Sequence, residues 1–223
     1  MQRRAFLRTA LPWAFVPYVV MSIVHVIALA TSSDIAGPTK LWLMPLLALP
    51  VLVSLRVRPT YAIVLLLVAL VFSWLGDGAG AFFPDGPELP LMLLFFGLAH
   101  IAYIVLFIRL LRVRRLPRWT LVYAVWWIAM VLVLAPHAGG LLIAVAVYGL
   151  LLGGTAVFAA RCHPLVVVGS VFFLISDTVL AFRLFQPELL PSWSSPVVMI
   201  TYTLGQGLII AGALITLRRR NDR

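Results

Sequence analysis

The stretch LVVVGSVFFLISDTVLAFRLF at residues 165–185 decides the fold. Its length matches the ~20 apolar residues that a helix needs to cross a bilayer, and a single carboxylate, Asp177, interrupts it. An acid inside a membrane segment is costly unless it faces a polar cavity or a partner. The run therefore reads as a membrane helix and as the first place to look for chemistry. Seven more apolar runs flank it, at 11–30, 41–55, 60–82, 89–111, 119–135, 141–160 and 197–217. The run at 60–82 holds the second anomalous acid, Asp77, in the sequence Ser73-Trp74-Leu75-Gly76-Asp77-Gly78.

Composition agrees with this reading. The chain of 223 residues is 63% hydrophobic and 11% charged, with a mean hydropathy of +1.10. That is far above soluble usage and calls for lipid as solvent. We expect one all-α membrane domain over 1–223, a polytopic bundle of eight transmembrane helices. The lone Cys162 allows no internal disulfide, and the prolines and glycines scattered through apolar runs fit kinked membrane helices.

The connections are short and alternate in charge. Arg3, Arg4 and Arg8, then Arg56 and Arg58, then Arg109, Arg112, Arg114, Arg115 and Arg118, then Arg161, then Arg218, Arg219, Arg220 and Arg223 fall on one side, 15 of the 17 basic residues. The other side holds Asp34 with Lys40, Asp85 with Glu88, and Arg183 with Glu188. Basic loops stay cytoplasmic, so both termini are expected inside. The excess of arginine over lysine hints at a GC-rich bacterial genome, and we expect a multi-pass protein of the inner (plasma) membrane. A net charge of +10 spread over juxtamembrane loops does not indicate a nucleic-acid partner. The start Arg3-Arg4-Ala5-Phe6-Leu7-Arg8, with Ala28-Leu29-Ala30 further on, resembles a twin-arginine export signal. Such signals carry soluble proteins, and seven more membrane runs follow, so we read it as the first membrane helix.

An internal repeat is visible at a spacing of about one hundred residues. Leu11, Pro12 and Tyr18 lie over Leu116, Pro117 and Tyr123, and Val71, Phe72 and Asp77 lie over Val171, Phe172 and Asp177. Leu98 lies over Leu204, and Arg112 and Arg114 lie over Arg218 and Arg220. The pattern reads as a duplicated four-helix unit, with halves of about 1–112 and 113–223. An even number of helices makes the repeats parallel, with a pseudo-twofold axis along the membrane normal. Chance agreement between two Leu/Val/Phe-rich halves is the competing reading.

Helix rise places the polar residues in depth. At 1.5 Å per residue, Asp177 lies ~20 Å from the inner edge and His100 ~17 Å from the outer one. Asp77, at ~26 Å from the inner edge by the same measure, is either a member of a buried pair or a carboxylate meeting water at a glycine-frayed helix end. His100 and Tyr103 share a helix face, as do Tyr202 and Gln206. Tyr148 and His25 are lesser candidates. The four His and one Cys show no ligand pairs at helical or CxxC spacing, so no metal is expected.

Gly76-Asp77, Gly97-Leu98-Ala99-His100 with Tyr103 and Phe107, Gly169 with Phe173, Ser176-Asp177 with Leu180-Ala181, and Tyr202 with Gln206 occur in this order. The combination resembles the YhhN-like lysoplasmalogenase family, from the second apolar run to the last. The chain departs from that family where Leu41, not proline, follows Lys40, and in the Phe182-Arg183-Leu184-Phe185 ending. The resemblance implies hydrolysis of the vinyl ether bond of lysoplasmalogens, without a cofactor, to a fatty aldehyde and a glycerophospho-headgroup.

The residues suit that chemistry. Vinyl ether hydrolysis puts a proton on the β-carbon and leaves an oxocarbenium ion for water to capture. Two neighbouring carboxyls divide this labour, one protonated and one ionised, as in glycoside hydrolysis. Asp77 and Asp177 are the expected pair, and either is a candidate for the acid. His100, Tyr103, Ser176, Tyr202, Gln206 and Tyr148 are candidates for positioning water or the glycerol hydroxyl. Lys40 and Arg183 are candidates for the phosphate, with Arg183 equally explained as snorkelling to lipid headgroups. Phe95, Phe96, Phe172 and Phe173 are candidates for lining an acyl tunnel, or for packing. The expected partners are lysophospholipid and bilayer lipid, and no protein partner is indicated.

One rival class stays open on the residues alone: a proton-coupled transporter would also use buried aspartates in a duplicated bundle. A retinal receptor is disfavoured, because Lys40 is the only lysine and sits at a helix end.

Overall fold

The computed structural model describes residues 2–57, 61–191 and 193–221, with side chains for 10–55, 61–191 and 193–220. The side chains of Arg3, Arg4, Arg8 and Arg56, and all of Arg58, Thr60 and Arg223, lie outside the described residues. Among those described there are helices and no strand: α1 Gln2–Ala30, α2 Ala36–Val57, α3 Tyr61–Asp77, the single turn α4 Ala79–Phe82, α5 Glu88–Leu106, α6 Leu121–Ala138, α7 Leu142–Ala159, α8 Pro164–Phe185 and α9 Ser194–Asn221. A π-helical turn, Phe107–Leu111, continues α5.

Six helical segments among the described residues are long and apolar enough to cross a membrane, at 10–30, 36–55, 88–111, 118–159, 164–185 and 194–220. The segment 118–159 has 42 residues, about 63 Å of helix and roughly twice a ~30 Å hydrocarbon slab. It folds back at Gly139, whose φ of +50° lies in the left-handed region, into the α6–α7 pair. The 17-residue α3 is apolar but shorter. Outward-facing side chains such as Trp13, Ile143 and Leu132 are more than two-thirds exposed, as expected of helices whose outer faces meet lipid.

Local chemistry sets the helix ends. At the end of α1, Ser32 takes a left-handed φ of 52° and the Ser33 N–H bonds the Ala28 carbonyl at 2.8 Å, satisfying an orphan carbonyl as a Schellman motif does. The second helix begins earlier than the apolar run suggests, at Ala36, so Lys40 stands in the first turns of α2 and not in a loop. The run at 60–82 is broken in two: α3 stops at Asp77, and Gly78 precedes the single turn of α4.

Packing is closest between α8 and α9. A Cβ on Gly205 would lie 2.8 Å from the Phe173 amide nitrogen, and one on Gly169 would lie 2.7 Å from the Gly205 carbonyl oxygen. Only hydrogen side chains let these backbones approach so closely, the usual means of helix association in lipid. Elsewhere α1 packs on α2, α3 on α5, and α6 on α7. The two sets of helices meet through α5–α7, α1–α9 and α2–α9 contacts.

A hydrogen bond fixes α2 against α3. Pro45 has no N–H to give the Leu41 carbonyl, which loses its partner within the helix. The indole Nε1 of Trp74 donates to that carbonyl at 2.9 Å. Lys40 is next to Leu41 and Asp77 is one turn beyond Trp74, so this bond sets the distance between Lys40 and Asp77.

Candidate active site

Between α2, α3, α5, α7, α8 and α9 lies a cavity of about 120 Å³. Its polar wall consists of Lys40, Asp77, Tyr148, Ser176, Asp177 and Tyr202, and its apolar wall includes Leu89, Met92, Phe96, Leu180, Leu184 and Met199. The two aspartates, a hundred residues apart in sequence, thus face one space.

Asp77 ends a helix, as the glycine-frayed reading has it, yet its side chain is only 3% exposed. The reason is not local. Lys40 of α2 stands 3.6 Å from its Oδ1, and the Tyr202 hydroxyl of α9 donates to its Oδ2 at 2.7 Å. Gly76 lets α3 approach the site: a Cβ there would fall 2.6 Å from the Phe96 ring. Phe96 in turn packs edge-on against Tyr202 and Phe173, with centroids 6.0 and 6.4 Å away.

Asp177 has different company. The Tyr148 hydroxyl donates to its Oδ2, and the same phenol oxygen lies 3.4 Å from His100 Nε2. His100 is fully buried, and its Nδ1 lies 3.0 Å from Thr155 Oγ1. The Thr155 hydroxyl spends its one proton on the Leu151 carbonyl at 2.9 Å, so toward His100 it can only accept. Nδ1 therefore carries the imidazole proton, and Nε2 presents its lone pair to Tyr148. The phenol has one proton and two acceptors. It donates to Asp177 when that group is a carboxylate, and is free to donate to His100 when Asp177 is an acid. Nothing in the sequence around Thr155, a hydroxyl within an apolar helix, marks this role.

Of the other candidates, Ser176 and Phe96 line the cavity and the rest fall behind or beside it. Tyr103 donates to Gln206 Oε1 at 2.6 Å, and Gln206 Nε2 donates to Ser73 Oγ at 3.0 Å; all three side chains are buried and none lines the cavity. They form a polar layer beneath the site. Ser176 lines the cavity, but its hydroxyl donates to the Val198 carbonyl of α9 at 2.9 Å. Arg183 is off the wall: its guanidinium donates to Ser194 Oγ at 2.6 Å, bracing the end of α8 against the start of α9. Phe96 lines the cavity, Phe173 packs behind it 4.9 Å from the His100 ring, and Phe95 stacks on Phe83 at 5.6 Å, away from the wall. His25 bonds Thr39 at 2.9 Å, also outside the wall. No group of three or more His, Cys, Asp or Glu able to hold a metal ion occurs among the described residues.

Comparison with known proteins adds a single finding. The YhhN family model matches residues 35–213, which takes in every residue on the cavity wall. No curated protein and no solved structure gave a match. A match over most of the chain, on an apolar helical bundle that brings the two aspartates together, shows that the chain belongs to the YhhN family, the lysoplasmalogenase family.

Proposed function

We propose that the chain is a membrane-embedded hydrolase that cleaves the vinyl ether bond of lysoplasmalogens with Asp77 and Asp177. The observation that carries this reading is the shared cavity, where two carboxyls from α3 and α8 face one space with an otherwise largely apolar lining. Family membership supports the reaction class. At about 120 Å³ the cavity exceeds the ~10–15 Å³ that one water requires, but it is too small for a whole lysophospholipid. In this reading the enol ether and the attacking water sit at the polar wall, the first carbons of the alkenyl chain lie against Leu89, Met92, Leu180 and Leu184, and the rest of the lipid extends outside the cavity.

The two carboxyls differ in their partners, and our assignment of roles follows that difference. Asp77 faces an ammonium and a phenol and serves as the carboxylate. Asp177 faces no cation and serves as the acid. Asp177 gives its proton to the β-carbon of the alkenyl group, and the electron pair of the double bond forms the new C–H bond. Asp77 stabilises the resulting oxocarbenium ion and takes a proton from the water that adds to its carbon. The hemiacetal then breaks its C–O bond to the glycerol, whose oxygen takes the proton held by Asp77 while the hemiacetal hydroxyl gives its proton to Asp177; the products are an aldehyde and a glycerophospho-alcohol, one water is consumed, and both carboxyls return to their starting states. Tyr148 follows the state of Asp177, donating to it once it has become a carboxylate. To Lys40, one-third exposed on the cavity wall, we assign the substrate phosphate.

The same reading includes eight crossings with both termini cytoplasmic, following the distribution of arginine. The neighbours of the two halves support a duplicated unit. If α5 is the fourth helix of one half and α7 the second of the other, then α5–α7 has α2–α9 as its counterpart, and both pairs touch. Lys40 reaching Asp77 and Tyr148 reaching Asp177 are likewise both contacts from second helix to third.

The test is aldehyde release from a 1-alkenyl lysophospholipid by purified protein, alongside Asp177→Asn and Asp77→Asn. Release by the native protein, with at least a hundredfold loss in both variants, is expected, as is usual for removal of an acid-base group. Full activity in Asp177→Asn would refute the assignment. No release by the native protein, together with proton-coupled uptake into liposomes, would favour a transporter.

A further inference from the structure

At the end of the bundle opposite Asp34, Asp85 and Glu188, the α5–α6 and α7–α8 connections are stapled together. The amides of Val113 and Arg114 both donate to the Arg161 carbonyl, at 2.9 and 3.2 Å. The staple closes a cleft of about 370 Å³ lined by Arg112, Arg114, Arg115 and Arg161 around Val113. Arg112, Arg114 and Arg115 are exposed and Arg161 is half-buried, and all four line this one concavity. Two arginines at this end are committed to the fold. Arg114 Nε caps α7 by donating to the Ala160 carbonyl at 2.7 Å, and Arg220 donates to the Leu110 carbonyl at the end of the π-helical turn, both favourable at helix C-termini.

One donor in the cleft is unsatisfied. Arg161 Nε is buried without a hydrogen-bond partner, an arrangement that costs free energy unless a ligand supplies an acceptor. The described acids, Asp34, Asp77, Asp85, Glu88, Asp177 and Glu188, belong to other connections or to the cavity. No described carboxylate neutralises the four guanidiniums. Planar forked donors lining one hollow match the oxygens of a phosphate.

We propose that this cleft binds a phosphate group at the cytoplasmic end, remote from the vinyl ether site. The phosphate comes either from an anionic lipid headgroup of the inner leaflet or from a soluble phosphate. The proposal stands whether or not the chain hydrolyses lysoplasmalogens.

The experiment measures the unfolding temperature of the full chain in two settings. In neutral detergent, inorganic phosphate is compared with chloride at equal ionic strength. In nanodiscs, phosphatidylglycerol is compared with phosphatidylcholine. The variants are Arg112→Gln with Arg115→Gln, Arg161→Gln, and, as a control that removes one charge at the same end, Arg219→Gln. Stabilisation by phosphate in detergent identifies a soluble ligand, and stabilisation only by phosphatidylglycerol identifies a headgroup; either supports the site. Midpoint concentrations are expected to rise about tenfold for each arginine contact removed and to stay unchanged in Arg219→Gln. No stabilisation by either probe, or equal loss in Arg219→Gln, would overturn the proposal. Should Arg161→Gln fail to fold, the Arg112→Gln/Arg115→Gln protein carries the test, because neither side chain takes part in the staple or the helix caps.

Discussion

Replacing Trp74 with Phe tests how the chain sets its ion pair. The substitution keeps an aromatic ring against Phe82, 4.6 Å away, but removes the N–H that reaches the Leu41 carbonyl at 2.9 Å. That carbonyl has no helical donor because residue 45 is proline. Hydrogen bonds between membrane helices contribute about 0.6 kcal/mol on average and up to ~1.7. Leaving a partly buried carbonyl unpaired places this one toward the upper end, so Trp74→Phe is expected to cost about 1–2 kcal/mol. Pro45→Ala supplies a new N–H within α2 that can take over the Leu41 carbonyl. In the double variant the loss of the indole therefore matters less, and the cycle should show a coupling of about 1 kcal/mol. The assay is reversible unfolding in mixed micelles for the four proteins of the cycle. Additivity within about 0.3 kcal/mol would show that the indole does not compensate for the proline.

Three further outcomes are expected. Thr155→Val removes the acceptor that fixes the His100 tautomer and should lower kcat about tenfold or more while leaving KM in place; Thr155→Ser should restore it, and equal activity in all three proteins would remove Thr155 from the mechanism. Gly205→Ala forces a Cβ to 2.8 Å from the Phe173 amide and 2.9 Å from the Gly169 carbonyl, and should cost about 1–3 kcal/mol or more, whereas Gly140→Ala, with nothing within 4 Å, should be neutral in the same unfolding assay. Lys40→Gln should reduce kcat/KM for a phosphate-bearing substrate about 10- to 100-fold and have a much smaller effect on KM for a vinyl ether without phosphate; equal losses on both would assign Lys40 to Asp77 alone.

The sequence was most legible where a residue violated its surroundings. Asp177 interrupts a continuous apolar helix, and no soluble reading of that helix accommodates it. Asp77 was ambiguous because two facts about it are both true: the helix does end there, and the carboxyl is nonetheless buried. Its burial depends on Lys40 and Tyr202, which come from other helices and leave no periodic trace. Gly76 and Gly169 were visible as letters of a motif, but their reason, a Phe96 ring and a crossing backbone, is tertiary. Thr155 was invisible, since a threonine in an apolar helix ordinarily bonds its own preceding turn, as this one also does. Ser176, Gln206 and Arg183 read as site residues from type and position. Their polar atoms are engaged with Val198, with Tyr103 and Ser73, and with Ser194. Lys40 read as a loop residue because the apolar run starts after it, at Leu41, yet proline is tolerated in the first turn of a helix, and α2 begins at Ala36, before Pro38 and Lys40.

The central claim is that a buried carboxyl protonates carbon, and its most direct test is solvent isotope incorporation. Purified protein is given a 1-alkenyl lysophospholipid in deuterium oxide, and the aldehyde is reduced as it forms and analysed by mass spectrometry. The mechanism predicts one deuterium on the carbon next to the carbonyl carbon, lost together with aldehyde release in Asp177→Asn. Aldehyde released without deuterium at that carbon, or deuterated aldehyde released at the native rate by Asp177→Asn, would contradict it.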